Sequence, residues 1–177
     1  MNDNLPLVYI SALLIILAIA AFFVVKEVIK TRLSENTFSN LQKKLKNSKG
    51  TAEEYYQLGS IYLDKKLFVQ SINLFEKALK ADKDLPPENE ALIHNAMGYA
   101  YFAQEQYDIA IRKYKEAIKI NPEYVVALNN LGNVYEKKQL TAQALEVYES
   151  ALKIDSENKI AKRRAESLRK RFVSSDK

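Results

Sequence analysis

Residues able to do covalent or metal chemistry are few. The 177-residue chain has no cysteine and a single histidine, His94. That removes disulfides, thiol nucleophiles and Cys/His zinc sites, and leaves a serine–histidine pairing only if His94 carries it alone. Gly50, Gly59, Gly98 and Gly132 are isolated from one another, so no loop can wrap its amides around a phosphate. No acidic or histidine cluster stands out, and the expectation is a protein with no catalytic residue, cofactor, metal or small-molecule substrate. The glycines pose a different question. The stretch "ALNNLGNVYE", residues 127–136, reads as helix with Gly132 in its middle, where glycine costs about 1 kcal/mol relative to alanine. Something has to require it.

The elements around these residues follow from composition and period. With 28% charged and 47% hydrophobic residues the chain has a globular balance. Residues 5–25, "LPLVYISALLIILAIAAFFVV", carry no charge, and at 1.5 Å per residue they make about 30 Å of helix, the thickness of a bilayer core. A cleaved signal peptide is the rival reading, because Ala18, Ile19 and Ala20 look like a processing site. Against it, "MNDN" has no basic residue and the apolar run continues to Val25. Lys26, Lys30, Arg32, Lys43, Lys44, Lys46 and Lys49 come after the span. The positive-inside bias therefore expects residues 1–4 outside and the rest on the cytoplasmic side or its organellar equivalent. Residues 26–50 are expected to continue the helix briefly, break near Ser34, and form a short amphipathic helix with Phe38, Leu41 and Leu45 on one side, capping one end of the domain that begins near residue 52.

Charge is laid out in blocks. Residues 50–158 hold 12 basic and 17 acidic side chains, whereas residues 26–49 are net +5 and residues 159–177 net +6. The basic excess belongs to the flanks, and the acidic middle speaks against nucleic-acid binding.

Gly98 and Gly132 are 34 residues apart within matching contexts, "MGYAY" and "LGNVY", and "LGSIY" at residues 58–62 is a third copy. Its distance of 39 from Gly98 is one period plus five residues, placed at 86–90, "PPENE". Fixed-period similarity is the mark of a repeat array. Counting units from Ala52, Ala91 and Val125, positions 7, 8 and 11 are Leu58-Gly59-Tyr62, Met97-Gly98-Tyr101 and Leu131-Gly132-Tyr135. Positions 20, 24 and 27 are Ser71-Phe75-Ala78, Ala110-Tyr114-Ala117 and Ala144-Tyr148-Ala151. This pattern resembles the tetratricopeptide repeat, two antiparallel helices per unit. With the span at 5–25, the resemblance implies an all-α chain: an N-terminal transmembrane helix, then a right-handed solenoid of three helix pairs (52–85, 91–124, 125–158), followed by a capping helix at 159–172 and a tail at 173–177. Each glycine is expected to let its helix approach position 20 of the next: Gly132 on Ala144, Gly98 on Ala110, Gly59 on Ser71. Ser71 is expected to bond a carbonyl of its own helix. Thr51 to Glu54 form a capping box, and Pro122 suits the first turn of the next helix. Ile160, Ala161, Ala165, Leu168 and Phe172 give the last helix an apolar face.

The family pattern also projects a concave groove from positions 2, 5, 6, 9, 12 and 13. It names Tyr56, Gln57, Ser60, Leu63, Asn95, Tyr99, Phe102, Asn129, Asn130, Asn133 and Lys137 as protein-binding residues, with Glu53, Asp64, Leu92, Val126 and Glu136 on the same face. Asparagine amides can pair with a ligand main chain, and Tyr99 and Phe102 can hold apolar side chains. His94, at position 4, reads as a packing residue. Positions that form the carboxylate clamp of chaperone-binding repeats are here Tyr56, Ala96, Val126 and Asn130, and none matches. The overall architecture resembles the thylakoid-anchored tetratricopeptide proteins of cyanobacteria and plastids, which assist assembly or stability of photosystem I. That implies a membrane-anchored scaffold with photosystem I subunits or assembly intermediates as clients. A bacterial envelope adaptor for secretion, pili or division is the alternative.

Overall fold

The computed structural model describes the backbone of residues 5–175, and the side chains of residues 9–171 apart from Lys30 and Ser34. Residues 1–4 and the end of the tail lie outside it, as does the side chain of Phe172. Two compact units divide the chain after Asn47.

The first unit is one helix, α1 (Leu5–Asn47), 43 residues and about 65 Å long. It includes an 18-residue window of mean hydropathy 2.6, and its side chains from Tyr9 to Ile29 are exposed. By length and composition it is the one helix, among the described residues, able to cross a membrane. The break expected near Ser34 does not occur. Serine, threonine and asparagine inside a helix cost only a fraction of a kcal/mol each, and no glycine or proline interrupts residues 26–47.

The second unit is an α-solenoid. Its helices are α2 (Ala52–Asp64), α3 (Phe68–Ala81), α4 (Pro87–Ala103), α5 (Tyr107–Ile120), α6 (Val125–Lys137), α7 (Thr141–Ile154) and α8 (Lys159–Ser175). Helices α2, α4 and α6 are the first members of the three pairs. The start of α2 is held as the sequence predicts: Glu54 N donates to Thr51 Oγ1 (3.2 Å) and Thr51 N to Glu54 Oε2 (3.1 Å). The five extra residues at 86–90 fall at the start of α4. Pro87 takes the first position of α4, where a missing N–H is harmless, and the added residues lengthen that helix to 17 residues against 13 in α2 and α6. Pro122 lies outside a helix altogether, in the turn before α6.

Both kinds of turn repeat with the period. Within each pair the chain reverses through a left-handed residue, Lys66, Glu105 or Gln139, with φ near 60°. Leu67 N, Gln106 N and Leu140 N then donate to the carbonyls of Tyr62, Tyr101 and Tyr135, closing a Schellman turn that satisfies the last carbonyls of the first helix. Between pairs, Asp82, Asn121 and Asp155 each accept from the amide two residues on, at 3.0 to 3.1 Å. Side-chain capture of that amide makes these short polar residues good turn formers.

The glycines make room for rings. A Cβ on Gly59 would lie 2.7 Å from Phe75 Cε1, on Gly98 2.7 Å from Tyr114, and on Gly132 2.6 Å from Tyr148 Cζ. All three rings are buried. A Cβ would therefore meet first the ring at position 24, while the small residue at position 20, which the sequence suggested, lies alongside. Position 20 only has to be small enough to let the helices close, and Ser71 shows how close they come. Its Oγ donates across the pair to the Gly59 carbonyl at 2.8 Å, not to its own helix.

Gly132→Ala should destabilise the array by about 1–3 kcal/mol, because overpacking against Tyr148 outweighs the gain in helix propensity. Thermal melts of Gly132→Ala, Tyr148→Leu and the double variant test this. The two losses should be strongly non-additive, since the smaller partner leaves space for the new methyl group.

Candidate protein-binding groove

Helices α4 and α6 repeat the same faces. Positions 3, 7 and 10 are buried in α4 (Ile93, Met97, Ala100) and in α6 (Ala127, Leu131, Val134). With 3.6 residues per turn, positions 2, 9 and 13 then point away from that face, and the exposed Leu92, Tyr99, Val126 and Lys137 stand there, with Ala103 and Asn133 half-buried among them. Leu92 and Val126, at position 2, are 37% and 52% exposed, and Tyr99, at position 9, is 48% exposed. Apolar side chains left open on a concave face have no core to explain them.

The residues named from sequence fall into three groups. Gln57, Tyr99 and Lys137 are exposed, and Asn133 is half-buried on the same face. Asn95 and Asn130 are joined in an amide chain. Asn130 Nδ2 donates to Asn95 Oδ1 at 2.9 Å, and Asn95 Nδ2 donates to the Tyr124 hydroxyl at 3.2 Å. Burial pushes the Tyr124 phenol above its ordinary pKa, so it keeps its proton. This chain locks α4 to α6 and uses only part of each amide's capacity, leaving donors and acceptors for a ligand.

A third group serves the fold. Tyr56 tilts onto Phe75 with ring centroids 5.6 Å apart, and Phe102 onto Tyr107 at 5.8 Å. Ser60 Oγ donates to the Tyr56 carbonyl at 2.9 Å, and Leu63 is half-buried. Asn129 is buried, and its amide donates to Asn158 Oδ1 at 3.2 Å, which takes it off the open face. The reason is register: position 5 faces the turn that closes its own unit, as Asn95 faces Tyr124. In the first unit the corresponding residues are Tyr56 and Leu85, which do not bond. With Ala52, Glu53, Asn89, Leu92 and Ile93 they line a pocket of about 370 Å³ at the start of the groove. Sequence reading missed that pocket, because it depends on the extra turn of α4.

Glu136, at position 12, ties three helices together. Its Oε1 accepts from the Tyr148 hydroxyl at 2.8 Å and lies 3.5 Å from Arg164 Nε of α8. Among the described residues no group of histidine and carboxylates is placed to hold a metal.

Models of the tetratricopeptide repeat match residues 52–85 and 125–158, and a TPR-repeat model matches residues 88–139. A ycf37 protein of Cyanophora paradoxa is 38% identical over 151 residues, covering 85% of this chain and 87% of that one. The chain belongs to the tetratricopeptide-repeat family. It is similar also to PYG7, a chloroplastic tetratricopeptide repeat domain-containing protein of Arabidopsis thaliana, at 31% identity. That match covers 95% of this chain but 56% of PYG7. The crystal structure of MamA shares the fold, with a TM-score of 0.71 at 24% identity over 83% of this chain and 85% of MamA. As a tetratricopeptide-repeat protein the chain is a protein-interaction scaffold and not an enzyme.

His94 is lodged between α4 and α5. Its Nδ1 is 2.9 Å from Glu116 Oε2 without hydrogen-bond alignment, and its Nε2 is 3.8 Å from Glu90 Oε1. Lys113 Nζ holds Glu116 from the other side at 2.7 Å. Burial lowers the imidazole pKa below 6.5, outweighing the attraction of Glu116. A histidine whose folded pKa is depressed takes up its proton more readily when unfolded. Its stabilising effect is thus complete above pH 6.5 and is lost as pH falls below that value. The melting temperature should therefore drop from about pH 7.5 to about pH 5.5, and drop less in His94→Gln. Parallel pH profiles of the two proteins would contradict this role.

Proposed function

We propose that this protein is a membrane-anchored scaffold that holds a segment of a client protein in its concave groove while a membrane complex is assembled or stabilised. The observation that carries this reading is the set of open apolar side chains Leu92, Tyr99 and Val126 on the concave face, Leu92 and Val126 at the same repeat position. In this reading residues 5–25 span the bilayer, the amino terminus faces outward, and the array lies on the stromal or cytoplasmic side. The apolar stretch of α1 and the basic residues after it support that topology. The tether raises the concentration of the groove at the membrane, and the groove selects the client.

The membrane is that of a plastid or cyanobacterial thylakoid, and photosystem I is the complex served. Support comes from the likeness to ycf37 proteins over most of both chains, from the chloroplastic PYG7, and from the resemblance of the architecture to thylakoid-anchored assembly proteins.

Native membranes carrying a carboxyl-terminally tagged protein, solubilised gently, should yield photosystem I subunits by mass spectrometry. Tyr99→Ala combined with Val126→Ala should reduce them about tenfold or more. Deleting residues 1–25 should release the protein from carbonate-washed membranes. Recovery of secretion, pilus or division components instead would replace this reading with the envelope adaptor. An unchanged client set in the groove variant would show that the groove is not the binding surface.

A further inference from the structure

Helix α8, expected to cap the array, also continues the register of the first helices. It begins at Lys159, 34 residues after Val125 opens α6. Its buried residues, Ala161, Ala165 and Leu168, stand at positions 3, 7 and 10, the same positions that are buried in α4 and α6. The ion pair of Arg164 with Glu136 sets its inner flank against the groove edge of α6. Helix α8 is therefore the first helix of a fourth unit that has no second helix among the described residues, and its own positions 2 and 13 extend the groove.

Those positions complete two rows. Ile160 is 53% exposed and continues Leu92 and Val126 along one lip. Arg171 is exposed and continues Lys137 along the other. Eleven residues of helix separate the rows, roughly 16 Å, which admits an α-helix about 10–12 Å wide between them. Helices α4 and α6 touch directly, and side-by-side helices each about 10 Å wide are spaced close to the roughly 10.5 Å between residues seven apart on a helix.

Resting on the scaffold reading above, we infer that the client segment is an amphipathic helix lying across α4, α6 and α8. Its apolar side chains recur every seven residues against Leu92, Val126 and Ile160, and its acidic flank faces Lys137 and Arg171. Charge complementarity selects this occupant: among the described residues neither Lys137 nor Arg171 is engaged in an ion pair, and the acidic members of the same two rows, Glu53 and Asp64, belong to α2, outside the stretch from α4 to α8. Tyr99, between the rows, meets the middle of the helix.

The test uses the full chain in zwitterionic detergent and labelled helical peptides of about 18 residues, enough for three seventh-residue anchors. One peptide has leucine at every seventh residue and a glutamate flank, a second has glutamine for glutamate, and a third has the leucine period scrambled. Fluorescence anisotropy should show the glutamate peptide binding about tenfold or more tightly than either control, with an affinity that falls as salt rises. Lys137→Gln with Arg171→Gln should abolish the preference for glutamate and leave the leucine period still preferred. Equal binding of glutamate and glutamine peptides, or of the scrambled peptide, would overturn the inference. So would capture of phosphatidylglycerol bicelles through Lys137 and Arg171 with no peptide binding, which would assign the basic row to lipid. The scaffold reading fails separately. If the native client is lost in the Tyr99 and Val126 variant and kept in the Lys137 and Arg171 variant, the groove stands and the acidic helix does not.

Discussion

A ring against a bare backbone governs the array. Phe75, Tyr114 and Tyr148 lie where a Cβ would otherwise stand on Gly59, Gly98 and Gly132, so the two helices of each pair close to the distance that an aromatic face and a glycine backbone permit. Because the same contact is made three times, the pairs are alike and stack in register. The rest inherits that regularity: the left-handed reversal at Lys66, Glu105 and Gln139, the captured amides after Asp82, Asn121 and Asp155, and the alignment of exposed side chains into rows. A groove with straight rows is a consequence of repetition in the core.

The period was legible because glycine inside a helix is costly and three of them recur in one context. What each glycine touches was not legible. Positions 20 and 24 lie on one face of the second helix, and only the geometry of the pair decides which of them a glycine Cβ would meet first. Pro87 opens α4 while Pro122 lies in the turn before α6, because a proline suits the beginning of a helix or the turn before it equally well. The continuity of α1 through Ser34 reflects how weakly serine and threonine oppose a helix. In the groove, Tyr99, Asn133 and Lys137 could be placed from the pattern, but Asn129 could not, because its fate depends on a turn residue, Asn158, 29 positions away.

The division of the asparagines bears on function. Asn129 is spent on holding the start of α8, Asn95 and Asn130 join α4 to α6 and keep part of their hydrogen-bonding capacity, and Asn133 remains on the open face. One residue type at neighbouring positions thus runs from structural to available. The acidic middle of the chain and the basic α8 likewise give the groove a direction, since its basic residues gather toward the carboxyl-terminal end. A scaffold with such a gradient can orient a client as well as hold it.

Site-specific photo-crosslinking in native membranes tests the central claim most directly. A photoreactive amino acid would be placed at position 99 on the concave face or at position 112 on the exposed surface of α5. The account predicts adducts to one client protein from position 99 and none to it from position 112. Adducts from position 112 alone, or equal adducts from both, would contradict it.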